Sequence, residues 1–474
     1  MDIRNKTAYL FIITLVASLG GFLFGFDMAV VSGILPLLQK QFSLSAFQEG
    51  WFVSSALVGC IIGVAISGEL SDRLGRKKPL MLAALLFLLS ALGCSLLPSL
   101  PGIIAARMLG GIGIGLASNV VPLYISEIAP ARIRGRLVTY YQFALTLGIL
   151  AAYLTNSALL NYAMAHTGDV GRWLHTVLVS EVWRGMFGIG VIPAVLFMFG
   201  LFMIPESPRW LIQQQREQEA TTILNRINNP IEAQASLKQG KQSQSDNKSS
   251  YRTLLAPQWR KALIIGILLP LFSQFSGINA IIYYGPSILN NAGISLSNSL
   301  LSQIIFGGAN MLFTLIAIWK VDSLGRRPLY LVGTAGATIS LLLTGICFYT
   351  GATTGFALLF CVLAFLASFA FSIGPLKFVV AAEIFPGNIR GRAMAISIMV
   401  MWIADTIVGQ LTPILLKSIG TAYTFWLFAL FCLIAFVTVY KLLPETKGKS
   451  LEQIEKDWKD QTNDQDLFVT PVGH

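Results

Sequence analysis

Charged side chains are scarce in this 474-residue chain: Asp, Glu, Lys and Arg make up 12% of it, about half the share found in soluble domains. With 54% hydrophobic residues and a mean hydropathy of +0.68, that deficit excludes an ordinary soluble globular protein. Histidine is rarer still. His166, His175 and His474 form no cluster, and Cys60, Cys94, Cys347, Cys361 and Cys432 fall singly within apolar stretches. Neither residue type offers a metal-ligand or disulfide spacing, so no metal site is expected and the cysteines read as small packing residues. A nucleophile–base set is missing too, which disfavours an enzyme and leaves no cofactor to expect.

Long apolar runs are what the chain has in abundance. Twelve are centred near residues 22, 59, 88, 114, 148, 194, 275, 308, 339, 368, 405 and 432, each long enough to cross a bilayer as a helix. The fold class expected is an all-α polytopic membrane protein. The formal charge of +11 is topology charge rather than a nucleic-acid footprint. Arg73, Arg76, Lys77 and Lys78 follow the second run, Arg132, Arg134 and Arg136 the fourth, Arg326 and Arg327 the eighth, and Arg390 and Arg392 the tenth. Basic residues thus mark alternate connections, which are cytoplasmic by the positive-inside rule, and an even span count puts both termini there. The start, with Arg4 and Lys6 before an apolar core, resembles a signal peptide. Its apolar run continues well past a signal core without an A-x-A site, so an uncleaved first helix is expected.

That first run, Ala8 to Pro36, is about 29 residues or roughly 43 Å of helix, and it carries a lone acid, Asp27. An ionisable group at membrane depth is a candidate functional site. After the second run, Gly68 to Lys78 reads G-x-x-x-D-R-x-G-R-K-K. Gly75 suits a tight turn, Asp72 could cap a helix start, and the basic run meets the membrane surface. The fourth run holds Arg107, then Gly110, Gly111, Gly113 and Gly115. Such glycine density lets helix backbones approach closely.

The segment Glu127 to Arg136 recurs as Glu383 to Arg392, identical at seven of ten positions and offset by 383 − 127 = 256. The run at Asp72 recurs, degraded, from Asp322 (322 − 72 = 250), and Pro205-Glu206 is echoed by Pro444-Glu445 (444 − 205 = 239). Three paired landmarks in order imply two homologous six-helix halves. The expected divisions are 1–210 and 261–443 for the halves, a polar linker at 211–260, and a polar tail at 444–474. Gln213 to Asn229 suits short surface helices, while Gln239 to Ser250 reads as flexible.

These motifs resemble the sugar porter family of the major facilitator superfamily across residues 8–455. The residues that carry the resemblance are Asp72 to Arg76, Glu127 to Arg136, Pro205 to Leu211, Gln274-Phe-Ser-Gly277-Ile278-Asn279 with Tyr283 and Tyr284, and Pro444 to Gly448. The nearest likeness is to bacterial proton-coupled xylose and hexose symporters. No N-x-S/T site falls in an expected external loop, which fits a bacterial inner membrane. The resemblance implies a sugar site between the halves near the bilayer midplane. Gln142, Gln274, Asn279 and Asn310 match its polar ligands, and Phe24, Tyr283, Tyr284 and Trp402 its aromatic walls or gates. Amides suit a ring of hydroxyls and aromatic faces suit sugar C–H groups, although any one amide could equally be polar glue between helices. Gly277 between Gln274 and Asn279, with Pro286 beyond, suggests a broken helix. The chain also departs from the pattern. Ser273 stands for a second Gln, Phe378 for the Trp after Gly374-Pro375, Met401 for a polar residue and Ile149 for a Gln of the xylose type. The substrate class implied is therefore a monosaccharide, without naming it.

Asp27 matches the family's proton-coupling acid. Depth offers a separate reason to pair it with Arg107. Asp27 lies about 10 residues (roughly 14 Å) from the outer end at Pro36, and Arg107 about 5 residues (roughly 8 Å) from that near Gly102. A neighbouring cation changes an acid's proton affinity, so making and breaking the pair would switch it; the alternative is a permanent pair locking two helices. Lys377 and Asp405 are further charges in apolar runs. Either they pair in some conformation, or Lys377 snorkels to the cytoplasmic side while Asp405 faces the cavity and serves as a second proton site. The resemblance also implies an ion-pair lattice between the halves at the cytoplasmic face, formed when the carrier faces outward. Its members would be Asp72, Arg76, Glu127, Arg134, Glu206, Arg209, Asp322, Arg326, Glu383 and Arg390. The function implied is import of a hexose or pentose (glucose, galactose or xylose) with a proton, by a monomer in the lipid bilayer. An uncoupled sugar or polyol facilitator is one alternative. A non-transporting sugar sensor is another, but it would be expected to carry a signalling tail longer than the 30 residues after Pro444.

Overall fold

A computed structural model of the chain describes residues 3–130, 133–166, 175–227, 233–234, 237, 256, 259–353, 356–385 and 387–445. Among them twelve helices are long and apolar enough to span a bilayer. The first half holds α1 (Ile3–Phe42), α2 (Ala46–Leu74), α3 (Lys77–Leu96), α4 (Leu100–Ile128), α5 (Arg134–Ala165) and α6 (Val182–Gly188 with Val191–Met203). Short helices Pro208–Gln213 and Glu217–Ile227 follow. The second half holds α7a (Arg260–Phe275), α7b (Ile278–Asn291), α8 (Leu296–Leu324), α9 (Arg326–Tyr349), α10 (Phe356–Ser368 and Gly374–Ile384 around the π-turn Phe369–Ile373), α11 (Gly387–Ser418) and α12 (Thr421–Leu442). The stretch expected to be flexible, Gln239 to Ser250, and the tail beyond Glu445 lie outside the described residues.

Both ends of this helix series lie on one face, together with the arginine-rich turns; it is called the basic face below, and the other the far face. Helices α2, α4 and α8 start on the far face behind Ser45, Ser99 and Ser295, whose side chains accept from backbone N–H groups of the first turn. Ser45 and Gln48 form a reciprocal capping box, the S-x-x-Q signature of a helix start.

Two local expectations are corrected. The first helix does not end at Pro36 but runs on to Phe42, leaving 43–45 as the link to α2. A membrane helix tolerates an interior proline where neighbours support it. Here Leu38 is fully buried, and Trp183 Nε1 donates to Gln41 Oε1 at 2.7 Å, holding the extra turns against α6. Asp72 does not cap a helix start. It lies in the last turn of α2, and the start of α3 is served by Glu206 instead, as described below.

Within the first half α1 packs along α5 and α2 along α4. Gly59 and Gly63 lie over the Met108 and Ile112 carbonyls, and Gly111 and Gly115 over those of Ala56 and Cys60. A β-carbon at any of these four would strike backbone, so the glycine run of α4 is a helix–helix contact. The halves meet through three pairings: α1 with α7b, α2 with α11, and α5 with α8. Advancing each helix number by six exchanges the last two and returns the first to itself, as a two-fold repeat requires. Outward faces are apolar, with Phe199, Phe202, Met203 and Phe360 exposed. Tyr349, Tyr423 and Trp426 cluster at the far-face ends of α9 and α12, with ring centroids 5.3–6.5 Å apart, as in an interfacial aromatic belt. The chain is a multi-pass membrane protein.

Replacing Gly111 with Val is expected to destabilise the fold by about 3 kcal/mol, because the colliding partner is backbone and cannot rotate away. Thermal unfolding of the purified variant in detergent checks this; an unchanged midpoint would contradict the packing.

Candidate functional site

Three layers of polar groups lie between the faces: a buried ion pair in the first half, a hydrogen-bonded cluster where the halves meet, and paired charges at each end.

Arg107 on α4 is buried and points at α1, where its Nη1 lies 3.3 Å from Asp27 Oδ2 and 3.4 Å from the Asp27 carbonyl. The guanidinium also lies over the rings of Phe52 (5.6 Å) and Phe187 (5.9 Å). Its Nε has no partner among the described residues. Asp27 is less enclosed, with 15% of its side chain accessible. Among the described residues two long hydrogen bonds, both to Asp27, and two ring faces hold this cation, so the pair is a loose one, well above the 2.7–2.9 Å of a tight charge-assisted bond.

The cluster is built by the break in helix seven. Gly277 adopts φ +83°, a left-handed conformation, which glycine reaches without strain. The turn it makes separates α7a from α7b and lets Asn279 Nδ2 reach back to Gln274 Oε1 at 2.8 Å. The same amide donates to Asp405 Oδ1 on α11 at 2.7 Å, and Tyr283 OH donates to Asp405 Oδ2 at 3.1 Å. Asp405 is thus buried with both oxygens occupied. Tyr283 crosses the interface as well, its hydroxyl 3.7 Å from the sulfur of Met28, the residue after Asp27. Tyr284 OH donates to the Gly409 carbonyl. Phe24 of α1 and Trp402 of α11 meet across the halves with centroids 5.4 Å apart, and Trp402 Nε1 is buried without a partner among the described residues.

Other expected site residues join less closely. Gln142 and Ile149 lie seven apart on α5, hence near one face, the first half-buried and the second buried. Asn310 on α8 is half-buried, and the side chains of Gln142 and Asn310 take no part in the cluster's hydrogen bonds. Gly374 stands where the π-turn of α10 gives way to helix. The side chains of Phe378, Asp322 and Arg390 lie outside the described residues. In this conformation Lys377 neither reaches Asp405 with an ion pair nor snorkels to the surface. It is buried, and its Nζ donates to Ser273 Oγ at 2.9 Å.

At the basic face the repeated motifs perform the same task twice. Glu206 accepts from the backbone N–H groups of Arg76 (2.9 Å) and Lys77 (3.2 Å) at the start of α3, while Glu445 accepts from those of Arg326 (3.0 Å) and Arg327 (3.1 Å) at the start of α9. A carboxylate there satisfies orphan donors and the positive end of the helix dipole. Arg76 pairs with Glu127 at 2.8 Å, and Arg326 with Glu383 at 2.9 Å. Asp72 is a distant partner of Arg76 at 3.8 Å, and Arg134 and Arg209 are exposed. Ion pairs between described residues on this face all stay within one half.

The far face is joined across the halves, which sequence reasoning missed. Gln410 on α11 accepts from Ser54 Oγ (2.7 Å) and donates to the Phe47 carbonyl (3.2 Å), and Lys417 pairs with Glu49 at 3.4 Å. On the symmetry-related seam Ser297 Oγ donates to Asn161 Oδ1 (3.1 Å), and Tyr153 OH to the Ile282 carbonyl (3.3 Å). Single polar residues in long apolar helices were the available signal, but nothing in the sequence pairs them.

Two homologous six-helix bundles with discontinuous helices at a central polar site, bridged at the far face by side-chain hydrogen bonds and an ion pair, have the build of a secondary transporter. The family model described as "Sugar (and other) transporter" matches residues 13–458, and the chain belongs to that family, in the sugar porter branch of the major facilitator superfamily. It is 42% identical to the arabinose-proton symporter of Bacillus subtilis, covering 96% of both chains, and 38% identical to the D-xylose-proton symporter of Escherichia coli, covering 98% of both. Among solved structures it resembles the inward open conformation of the E. coli xylose transporter XylE, with a TM-score of 0.81 at 38% identity over 95% of this chain and 100% of that one.

Cysteines introduced at Asn161 and Ser297, in a variant lacking the native five, are expected to be joined by a short thiol-directed crosslinker. Lack of any crosslink in the membrane-embedded protein would contradict a closed far face.

Proposed function

We propose that the protein imports a monosaccharide, a hexose or pentose, together with a proton by alternating access. The observation that carries this reading is the chain of contacts from Asp27 to the central cluster. Arg107 holds Asp27, Met28 next to it touches Tyr283, and Tyr283 donates to Asp405 beside Asn279 and Gln274. Protonating Asp27 removes the charge that holds Arg107. That frees α1 to shift against α4, and α1 is the helix that faces α7b. Rearrangement at the acid is thereby tied to the amides and aromatic rings that suit a sugar, with Gln142, Ile149, Asn310, Gly374, Phe378 and Trp402 as its further lining. The naming of two relatives as sugar–proton symporters supports the same reading.

The basic face is assigned to the cytoplasm by its arginines, which places both termini inside, in the bacterial inner membrane. The conformation described here then faces inward: far-face contacts close the outside, and ion pairs between described residues on the basic face stay within one half. In the outward-facing state Asp72, Glu127, Arg134, Glu206, Arg209, Asp322, Glu383 and Arg390 would exchange partners across the halves, giving the bistable element that alternation needs. One chain supplies both halves and the whole site, so a monomer suffices.

Purified protein in proteoliposomes should accumulate at least one sugar of a labelled panel (arabinose, xylose, glucose and galactose) only when an inward proton gradient is imposed. Asp27→Asn should abolish that accumulation and keep sugar exchange. Equal uptake with and without the gradient would make the protein a facilitator, and proton-driven accumulation by Asp27→Asn would remove Asp27 from coupling.

A further inference from the structure

Among the described residues, Lys377 is the one buried cation of the central region that the coupling scheme does not use. We propose that it is a sugar ligand, its ammonium donating to a hydroxyl oxygen on the α7a side of the site while Asp405 accepts from a hydroxyl on the α11 side. The inference rests on the sugar-import reading and names how that site holds its substrate.

Placement carries it first. The π-turn Phe369–Ile373 and Gly374-Pro375 precede Lys377 immediately, and π-turns occur often where a helix must aim a side chain at a functional site. The lysine stem points inward rather than to the basic face, and its Nζ sits 2.9 Å from Ser273 Oγ. Both residues are buried, Ser273 fully and Lys377 to within 8%. Ser273 precedes Gln274, which holds Asn279, which in turn holds Asp405. The ammonium's partner is therefore the residue next to Gln274, at the same end of α7a as the amide cluster.

Chemistry carries it next. An ammonium is purely a donor and a carboxylate purely an acceptor, and a hydroxyl can answer either. No ion pair joins Lys377 to Asp405, and each makes its own hydrogen bonds, so each can answer a different hydroxyl, as a clamp would need. Asp27 with Arg107 and Asp405 with Lys377 sum to no net charge. A neutral polyhydroxylated substrate keeps that balance, whereas a sugar acid would upset it.

Size carries the test. Serine is short, and the ammonium occupies the position one hydrogen bond beyond its hydroxyl. A glutamine at 273 would carry an amide into that space once the lysine is shortened. Binding is to be measured by titrating purified wild type, Lys377→Met, and Lys377→Met with Ser273→Gln, using whichever of arabinose, D-xylose and D-glucose the wild type exchanges, and that sugar's monodeoxy analogues. Lys377→Met should bind about ten- to a hundredfold more weakly, and Ser273→Gln should recover most of the loss. One deoxy analogue should bind wild type at least tenfold more weakly than the parent sugar, with no such penalty in Lys377→Met. If Lys377→Met does not fold, Lys377→Met with Asp405→Asn, which keeps the charge balance, takes its place in the same comparison. An identical deoxy profile in wild type and variant would make Lys377 a brace between α10 and α7a and overturn the proposal alone. Wild type that binds none of the three sugars would overturn the sugar-import reading with it.

Discussion

A guanidinium held among aromatic rings in a membrane protein needs a counter-charge, and Arg107 has Asp27. Removing one member of a buried pair costs about 3–5 kcal/mol, since the remaining charge is left uncompensated. The rest of the first half is arranged around this constraint. Glycine contacts bring α4 against α2, and α1 lies along α5, so that the two charges meet from neighbouring helices. The pair nonetheless stays loose, with a single hydrogen bond of 3.3 Å between side chains and an acid that is partly accessible. A tighter pair would lock the two helices; a loose one can be broken by a proton at modest cost.

The second half answers with polar groups whose arrangement depends on Gly277. Without its left-handed turn, Gln274 and Asn279 would lie on different sides of one helix. With it, Asn279 reaches both Gln274 and Asp405, and Tyr283 donates to the other oxygen of Asp405. Tyr283 is also the point where this cluster touches α1 through Met28. The two halves thus meet at the centre through Tyr283 on Met28, beside the acid Asp27, and through the rings of Phe24 and Trp402. At the basic face the same capping geometry appears twice, with Glu206 at α3 and Glu445 at α9. That explains why the repeated motif keeps a glutamate far along the chain from its arginines.

Much of this was legible in the sequence, for identifiable reasons. Hydropathy is a local property, so the twelve spans and the uneven distribution of arginines could be read directly. The repeat was legible because its landmarks sit in short turns with strict residue needs. Gly277 signalled the broken helix because few residues break one, whereas Pro286, taken with it as a sign, lies inside the continuous α7b. What failed was tertiary. Pro36 reads as a stop, yet α1 continues because Leu38 and Gln41 find partners on other elements. Asp72 reads as a helix cap, yet the cap comes from Glu206, 130 residues from Arg76. Gln410, Ser54, Asn161 and Ser297 gave no warning that they close the far face, since pairing across 356 residues leaves no mark on spacing. Lys377 was visible as an anomaly, but its partner Ser273 was set by the relative depth of α7a and α10, which no spacing records.

Coupling of sugar flow to proton flow through the Asp27–Arg107 pair is the central claim, and its most direct measure is the proton itself. In proteoliposomes without any imposed pH gradient, an inward gradient of the transported sugar should drive protons inward, seen as alkalinisation of a weakly buffered medium. Wild type is predicted to alkalinise the medium in proportion to sugar taken up. Sugar entry at the normal rate with no change in external pH would contradict the claim.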